Sequence, residues 1–248
     1  MSPSAGGVYV YGVVRGGVVP PVNAEGVGGA PVEVVEHAGL AALVSRLKTR
    51  DLRVKRKDLQ RHLQVLEEAF AATTILPCPF GTVVKSTEDV ADELLDARHD
   101  DLVAALDRLE GSVQMNVKAV YDEEALLRNI VQRDPEIAQL RESTRELGDA
   151  GYYERLRLGE IVAAAISEQR ERDSDRLVTT LATPAIDVVL EAPDDASALK
   201  ASFLVEKNEL RRFDERLDAI ARSEQPLLRF EVIGPLPPTA FAAAYADA

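Results

Sequence analysis

The chain has 248 residues, of which 46% are hydrophobic and 29% charged, and its formal net charge is −13. This composition is typical of a folded globular protein, and the negative charge argues against non-specific nucleic-acid binding. No apolar run approaches the ~20 residues of a membrane-spanning helix, and the N-terminus lacks the pattern of a signal peptide. We therefore expect a cytoplasmic protein with no nucleic-acid or membrane partner. The single cysteine, Cys78, excludes an internal disulfide and a cysteine-rich metal site.

The first half of the chain predicts strands at both ends of a set of helices. Strands are expected at residues 8–14 and 32–35, separated by a glycine-rich loop without the ending of a phosphate-binding loop. Residues 40–47 predict a short amphipathic helix, and residues 55–72 a stronger one. The apolar stripe of that stronger helix is expected to consist of Leu59, Leu63, Leu66 and Phe70.

After this helix, residues 75–84 predict an interrupted strand with a tight bend. Ser86 is expected to cap the N-terminus of a helix that runs unbroken to about Leu109, where Gly111 ends it. These elements complete an N-terminal α+β unit.

The second half alternates strands and helices in a different order. Strands are predicted near residues 113–121, 186–190, 202–205 and 228–232, with Gly234 and Pro235 stopping the last one. Helices are predicted at residues 123–132, from residue 135, at 152–181 with a solvent-exposed polar middle at 168–175, and at 210–220. Phe203, Phe213, Leu217 and Phe230 are expected to hold this half together.

The order of these elements, β-α(α)-β-β-α-β, is that of a split βαβ, ferredoxin-like sandwich with an enlarged helical crossover. We therefore predict the class α+β, with two packed domains at residues 1–111 and 112–248. The C-terminal one is the modified ferredoxin-like domain.

One segment departs from the acidic character of the chain. The segment of residues 46–62 contains eight basic and two acidic residues, so its local charge is +6. Its central part is a candidate electrostatic docking patch for an acidic partner, and it can equally be the solvated face of a helix. The patch consists of Arg53, Lys55, Arg56, Lys57 and Arg61.

Residues suited to catalysis are few. The three histidines form no metal-binding pattern, and His62, beside an apolar helix stripe, is interpreted as a packing residue. Cys78 lies between Pro77 and Pro79, which favours a small apolar site over a reactive thiol. We expect no enzymatic activity, no metal and no cofactor.

Five segments, in the order of the chain, resemble elements of the gas vesicle protein F/L family. They are the strand at residues 8–14, a Leu-Pro-x-x-Phe-Gly-Thr-Val element, the start of the long helix at residues 152–160, a Phe-Leu-Val element and a Gly-Pro-x-Pro-Pro element. The matching residues are Pro77, Phe80, Gly81, Thr82, Phe203, Gly234, Pro235, Pro237 and Pro238. Two sites depart from the family pattern: Pro79 replaces a basic residue, and residues 239–241 read Thr-Ala-Phe instead of Tyr-Ser-Phe.

The resemblance implies a two-domain α+β protein and a non-enzymatic, accessory role in gas vesicle formation. It implies as partners the major gas vesicle shell protein (GvpA-type), whose aggregation it would limit, and other gas vesicle accessory proteins. The matching residues would then have a structural or partner-binding role. The alternative is a small-molecule-binding regulatory module, because ferredoxin-like domains often bind small ligands.

Overall fold

The structure is a computed structural model that describes residues 6–17, 22–49, 55–146 and 151–242. The chain forms two compact units, residues 1–114 with 234–248 and residues 115–233, here called the N-terminal unit and the C-terminal unit. The division into domains at residues 1–111 and 112–248 stays a prediction. Among the described residues, every helix is too short or too polar to cross a membrane.

The N-terminal unit is built on an antiparallel sheet. Its strands are β1 (Gly7–Arg15), β2 (Glu33–His37), β3 (Leu40–Leu47), β4 (Ile75–Pro77) and β5 (Val83–Val84). Their order is β2-β3-β1-β4, and β5 also pairs with β1. The central strands β1 and β3 are buried along nearly their whole length, and their register shifts between Val10 and Gly12, around Tyr11.

The helix predicted at residues 40–47 is wrong, because this segment is strand β3. Seven of its eight residues are buried, since the strand lies between β2 and β1 in the sheet. A short apolar run that is buried on both faces has no strict alternation, and its spacing then also fits a helix.

The helical part of the N-terminal unit begins with α1 (Arg56–Ala72). It continues with the single turn α2 (Thr87–Asp89), the π-helical stretch Val90–Asp96 and α3 (His99–Leu109). Ser86 caps α2 as predicted, accepting a hydrogen bond from the Asp89 N–H at 3.1 Å. The prediction of an unbroken helix up to Leu109 is wrong, because the chain turns at Ala97 and Arg98 before α3 begins.

The predicted buried stripe of α1 is also partly wrong. Leu59 and Leu63 are 40% and 43% exposed. The buried face instead carries polar and apolar residues together, because the polar ones have hydrogen-bond partners inside the unit. It consists of Asp58, His62, Val65, Leu66 and Ala69.

The C-terminal sheet has the strand order expected for a ferredoxin-like fold. Its strands are β6 (Ser112–Tyr121), β7 (Ala185–Leu190), β8 (Ser197–Glu206) and β9 (Leu228–Leu236). The order β7-β8-β6-β9 places the β8 strand between β6 and β7, which are consecutive along the chain, as a split βαβ requires. The predicted α+β class with a modified ferredoxin-like C-terminal part is confirmed.

The crossover from β6 to β7 holds three helices, α4 (Glu123–Arg133), α5 (Pro135–Glu146) and α6 (Tyr152–Leu181). Helix α7 (Leu210–Ser223) connects β8 to β9, and the short α8 (Thr239–Ala242) follows β9. Phe203 of β8 packs on Phe213 of α7, with ring centroids 5.4 Å apart, and both side chains are fully buried. Leu217 is also buried, whereas Phe230 is only half-buried.

Two expectations for the C-terminal half are wrong. The middle of α6 is not uniformly exposed, because Gln169 and Asp173 are buried there. Their polar groups are hydrogen-bonded, with Gln169 donating to Asp173. Strand β9 does not stop at Gly234 but continues to Leu236, and of its predicted buried face only Leu228 is fully buried. Gly234 and Pro235 are exposed, so the strand passes through them at the surface of the protein.

Candidate functional site

Four aromatic rings form a cluster where β1 and α1 meet in the N-terminal unit, three of them buried and that of Phe80 half-buried. The Tyr9 ring contacts those of Tyr11, His62 and Phe80, with centroid distances of 4.9, 5.7 and 6.2 Å. His62 stacks on Tyr11 at 5.8 Å and meets Phe80 edge-on at 5.6 Å. These contacts on several sides hold the imidazole in one orientation.

Hydrogen bonds connect this cluster to the Leu-Pro-x-x-Phe-Gly-Thr element. The Gly81 N–H donates to the Tyr9 hydroxyl at 3.1 Å, and this hydroxyl is 2.9 Å from His62 Nδ1. Burial lowers the pKa of His62 to about 4, so the imidazole is neutral at pH 7. Burial also raises the pKa of Tyr9, so the phenol stays protonated.

A second set of hydrogen bonds fixes the loop before β2. The Tyr11 hydroxyl accepts from the Val27 N–H at 2.7 Å and lies 2.8 Å from Ser45 Oγ. Gly26 is required here, because an added Cβ would lie 2.4 Å from the Tyr11 hydroxyl oxygen and 2.3 Å from Ser45 Oγ. The glycine-rich segment therefore packs closely against the tyrosines of β1.

Above the cluster lies a groove with a volume of about 260 Å³. Leu59 and Leu63, the two exposed leucines of α1, form one side of it, and His62 lies between them in sequence. The lining is mostly apolar. The complete set of lining residues is Leu59, His62, Leu63, Pro77, Cys78, Pro79, Phe80 and Thr239, and we call it the apolar groove.

The Leu-Pro-x-x-Phe-Gly-Thr element forms a second side of the apolar groove through Pro77 and Phe80. The bend after Phe80 needs glycine, because Gly81 has a φ of +97°. Thr82 closes the bend by donating from its hydroxyl to the Pro79 carbonyl at 2.8 Å. The Cys78 N–H donates to the Tyr11 carbonyl at 2.8 Å, so the bend is attached to β1.

The Gly-Pro-x-Pro-Pro element is divided by the structure. Pro237 and Pro238 are buried in the N-terminal unit and lead into Thr239, which lines the apolar groove. The Ala240 N–H donates to Gln114 Oε1 at 2.8 Å, which fixes this segment to β6. The exposed Gly234 and Pro235 are not among the groove residues. Phe203 belongs to the core of the C-terminal unit, so the structure does not bring it to the groove.

Most of the predicted docking patch lies at the start of α1. Lys55, Arg56 and Lys57 are exposed there, one turn before Leu59. Arg61 is only 14% exposed and is paired with Glu25 and Asp58, so its charge is used within the N-terminal unit. Arg53 lies outside the described residues.

Cys78 lies between the apolar groove and a smaller cavity of about 50 Å³. Burial raises the pKa of its thiol to about 12, with Arg98 opposing the shift. A thiol that stays protonated at pH 7 is a poor nucleophile, in agreement with the packing role expected from its flanking prolines.

The C-terminal unit holds a different network around the buried Asp173. Tyr121, Gln169 and Arg176 donate to its carboxylate at 2.8, 2.9 and 2.8 Å. Burial alone would raise the pKa of Asp173, but these hydrogen bonds outweigh it and hold the pKa below its ordinary value. Asp173, Gln169 and Arg176 line a polar pocket of about 360 Å³.

The lining of this polar pocket includes three guanidinium groups, those of Arg133, Arg172 and Arg176. Arg176 is also paired with both carboxylate oxygens of Glu224, and Arg133 donates to Gln169 at 3.1 Å. Arg172 makes a longer contact with Glu168, at 3.5 Å. Chemically, such a pocket suits a small anion.

Sequence reasoning missed several of these groups. It placed Leu59 and Leu63 in the core and described His62 only as a packing residue, although all three line the apolar groove. A signal was present in α1, where Asp58, His62, Val65, Leu66 and Ala69 repeat at helical spacing as one mixed face. No spacing in the sequence connects Tyr9 with Phe80 or Thr239, because only the tertiary fold brings them together.

The chain matches the sequence profile described as gas vesicle synthesis protein GvpL/GvpF over residues 7–243. It is 36% identical to gas vesicle protein F of Streptomyces sp. (strain CB03234) over 238 residues, covering 94% of this chain and 98% of the relative. It is 30% identical to gas vesicle protein L of the same strain over 265 residues, covering 94% and 92%. The crystal structure of GvpF from Anabaena sp. PCC7120 has the same fold, with a TM-score of 0.82, 24% identity and coverage of 95% and 98%.

Proposed function

Because the chain belongs to the GvpL/GvpF family of gas vesicle synthesis proteins, we propose that it binds the hydrophobic gas vesicle shell protein (GvpA-type) and limits its aggregation during nucleation and assembly. Its association with gas vesicles follows from the family. We further propose that the protein acts in the cytoplasm and without catalysis.

The observation that carries this proposal is the apolar groove. Leu59 and Leu63 are large apolar side chains with 40% and 43% of their surface exposed, beside Pro79 and Phe80. Exposed apolar surface of this kind is typical of a site for another protein, because covering it removes it from water. A shell protein with an apolar surface is a partner of matching chemistry.

The basic residues near the apolar groove favour the same partner. Lys55, Arg56 and Lys57 lie one turn from Leu59, so a partner with an acidic residue beside its apolar surface would be held at both places. The formal net charge of −13 would keep the complex dispersed by mutual repulsion. Other accessory proteins of the gas vesicle are further expected partners.

A double substitution in the apolar groove tests the proposal. Leu59→Asp with Leu63→Asp should abolish co-purification of the shell protein and the suppression of its light scattering. The matched control is Leu127→Asp on α4, because Leu127 is 38% exposed and lies in the C-terminal unit. Urea denaturation of each variant separates lost binding from lost folding. Unchanged binding by the double variant would overturn the groove as the binding site, and no binding by the unmodified protein would overturn the function.

A second candidate function is the binding of a small anionic regulator in the polar pocket of the C-terminal unit. The guanidinium groups of Arg133 and Arg172 at this pocket favour it. A thermal-shift screen with phosphate-bearing and carboxylate-bearing metabolites tests it. A stabilising compound whose effect disappears in Arg172→Gln would support this candidate, and a screen without any such compound would remove it.

A further inference from the structure

The His62 imidazole uses one of its two ring nitrogens inside the N-terminal unit. The Tyr9 hydroxyl accepts from the Gly81 N–H at 3.1 Å, and His62 Nδ1, 2.9 Å away, is within reach as an acceptor for its own proton. A neutral imidazole that accepts at Nδ1 carries its proton at Nε2. The tautomer with Nε2–H as a donor is therefore the one in which the Tyr9 proton has His62 Nδ1 as its acceptor.

This donor has no acceptor within the described part of the chain. His62 makes one hydrogen bond to the described residues, and that bond, to the Tyr9 hydroxyl, uses Nδ1. The side chain is 3% exposed and lines the apolar groove. Its contacts with Tyr11 and Phe80 prevent the ring from turning towards another acceptor.

A partner that fills the apolar groove would expel the water that can reach Nε2. The N–H would then lose its hydrogen bonds unless the partner brought an acceptor, and an unpaired buried donor weakens binding. A purely apolar surface is therefore a poor fit to the groove. The favoured partner places one acceptor oxygen among apolar side chains.

We propose that His62 determines the specificity of the groove, by donating from Nε2 to a main-chain carbonyl of an extended, apolar segment of the shell protein. This inference rests on the proposed function, because it names the part of the shell protein that the groove takes. Carbonyls within a helix already accept a hydrogen bond from their own chain, whereas those of an unpaired strand edge remain available. The apolar side chains of the segment would contact Leu59, Leu63 and Phe80.

Two substitutions of His62 test the donor. His62→Phe keeps a ring against Tyr9 and Tyr11 but removes the N–H, and we expect the Kd for detergent-solubilised shell protein to rise about tenfold. His62→Gln offers an N–H donor at a similar position and should stay within about threefold of the unmodified protein. Urea denaturation of both variants verifies that they fold. Equal affinity of His62→Phe and the unmodified protein would overturn the inference alone, whereas no binding by the unmodified protein would overturn the proposed function as well.

A spectroscopic measurement reports the same bond without a mutation. In protein labelled with ¹⁵N at histidine, the Nε2–H resonance should move downfield and become protected from exchange when shell protein is added. Overlapping peptides of the shell protein then identify the segment. Binding by strand-forming apolar peptides that is weakened by His62→Phe supports the inference, and binding by helical peptides alone, or an unchanged Nε2–H resonance, contradicts it.

Discussion

Each unit of the chain buries a polar network beneath a surface concavity, and the two networks differ in charge. In the N-terminal unit, Tyr9, Tyr11 and His62 form neutral hydrogen bonds under an apolar groove. In the C-terminal unit, Asp173 and Arg176 form a charged network beside a polar pocket. A neutral network can lie under an apolar surface at little cost, whereas a buried carboxylate requires compensating charges close to it.

Because of this difference, we expect the two networks to have different roles. The charged network joins β6, α6 and the end of α7 through Tyr121, Asp173 and Glu224, so we expect it to determine the stability of the C-terminal unit. The neutral network positions the residues of the apolar groove, so we expect substitutions there to affect binding before they affect folding.

The largest effect on stability is expected at Asp173. Asp173→Ala leaves Tyr121, Gln169 and Arg176 without their shared acceptor and should lower the free energy of unfolding by about 3–5 kcal/mol. The control, Asp175→Ala, removes an exposed carboxylate from the same helix and should change the free energy of unfolding by less than about 0.5 kcal/mol. Urea denaturation measures both, and equal effects would contradict the assigned role of the network.

The second prediction compares two leucines of α1. Leu66→Ala empties a fully buried site and should cost about 2–5 kcal/mol of stability. Leu63→Ala makes the same chemical change at a 43% exposed position and should cost less than about 1 kcal/mol, while weakening shell-protein binding. Thermal and urea denaturation, followed by a binding assay, check the pair. A large loss of stability in Leu63→Ala would contradict this prediction, because it would show that Leu63 is part of the core.

The third prediction concerns pH. The pKa of His62 is about 4 in the folded protein and near 6.5 when unfolded, so the unfolded state binds more protons between these values. The free energy of unfolding should therefore fall as the pH drops from 6.5 to 4, by up to about 3 kcal/mol from this residue. His62→Phe should lose that part of the pH dependence, and His99→Gln, at a half-buried histidine outside the cluster, should retain it. Identical pH profiles of His62→Phe and the unmodified protein would contradict the assignment.

The smallest effect on stability is expected at the start of α1. Reversing Lys55, Arg56 and Lys57 to glutamate should change the free energy of unfolding by less than about 0.5 kcal/mol, because all three are exposed. It should weaken shell-protein binding and reduce the dependence of that binding on salt. The same reversal at Arg211, Arg212 and Arg222 of α7 is the control, with an equal change of charge on the C-terminal unit. Equal effects of the two triple variants would identify the basic segment as a solvated helix face.

The sequence predicted the ferredoxin-like order of the second half because its strands and helices are regular and their breaks are marked by Gly and Pro. It failed at β3, where burial on both faces removes the alternation that identifies a strand. It also failed at Gln169 and Asp173, whose burial depends on partners 36 to 52 residues away. Polar residues of this kind look solvent-exposed until the tertiary hydrogen bonds are known.

The candidate site was predictable only in pieces. The residues Pro77, Phe80, Gly81 and Thr82 were identified from their resemblance to a family element, and the structure places the first two in the apolar groove. Leu59 and Leu63 were predicted on the buried face of α1, but both are exposed. The prediction failed because it used only the apolar residues of the helix to identify that face. His62 defines the true inner face of α1 through its bond to Tyr9, 53 residues earlier in the chain.

The most direct test of the central claim is photo-cross-linking from the apolar groove. A benzophenone amino acid in place of Leu63 should cross-link to the shell protein during assembly, because this side chain is exposed inside the groove. The same probe in place of Leu127, a similarly exposed leucine of the C-terminal unit, is the reference. Cross-links from position 63 and none from position 127 are the predicted result, and cross-links from position 127 alone would contradict the account.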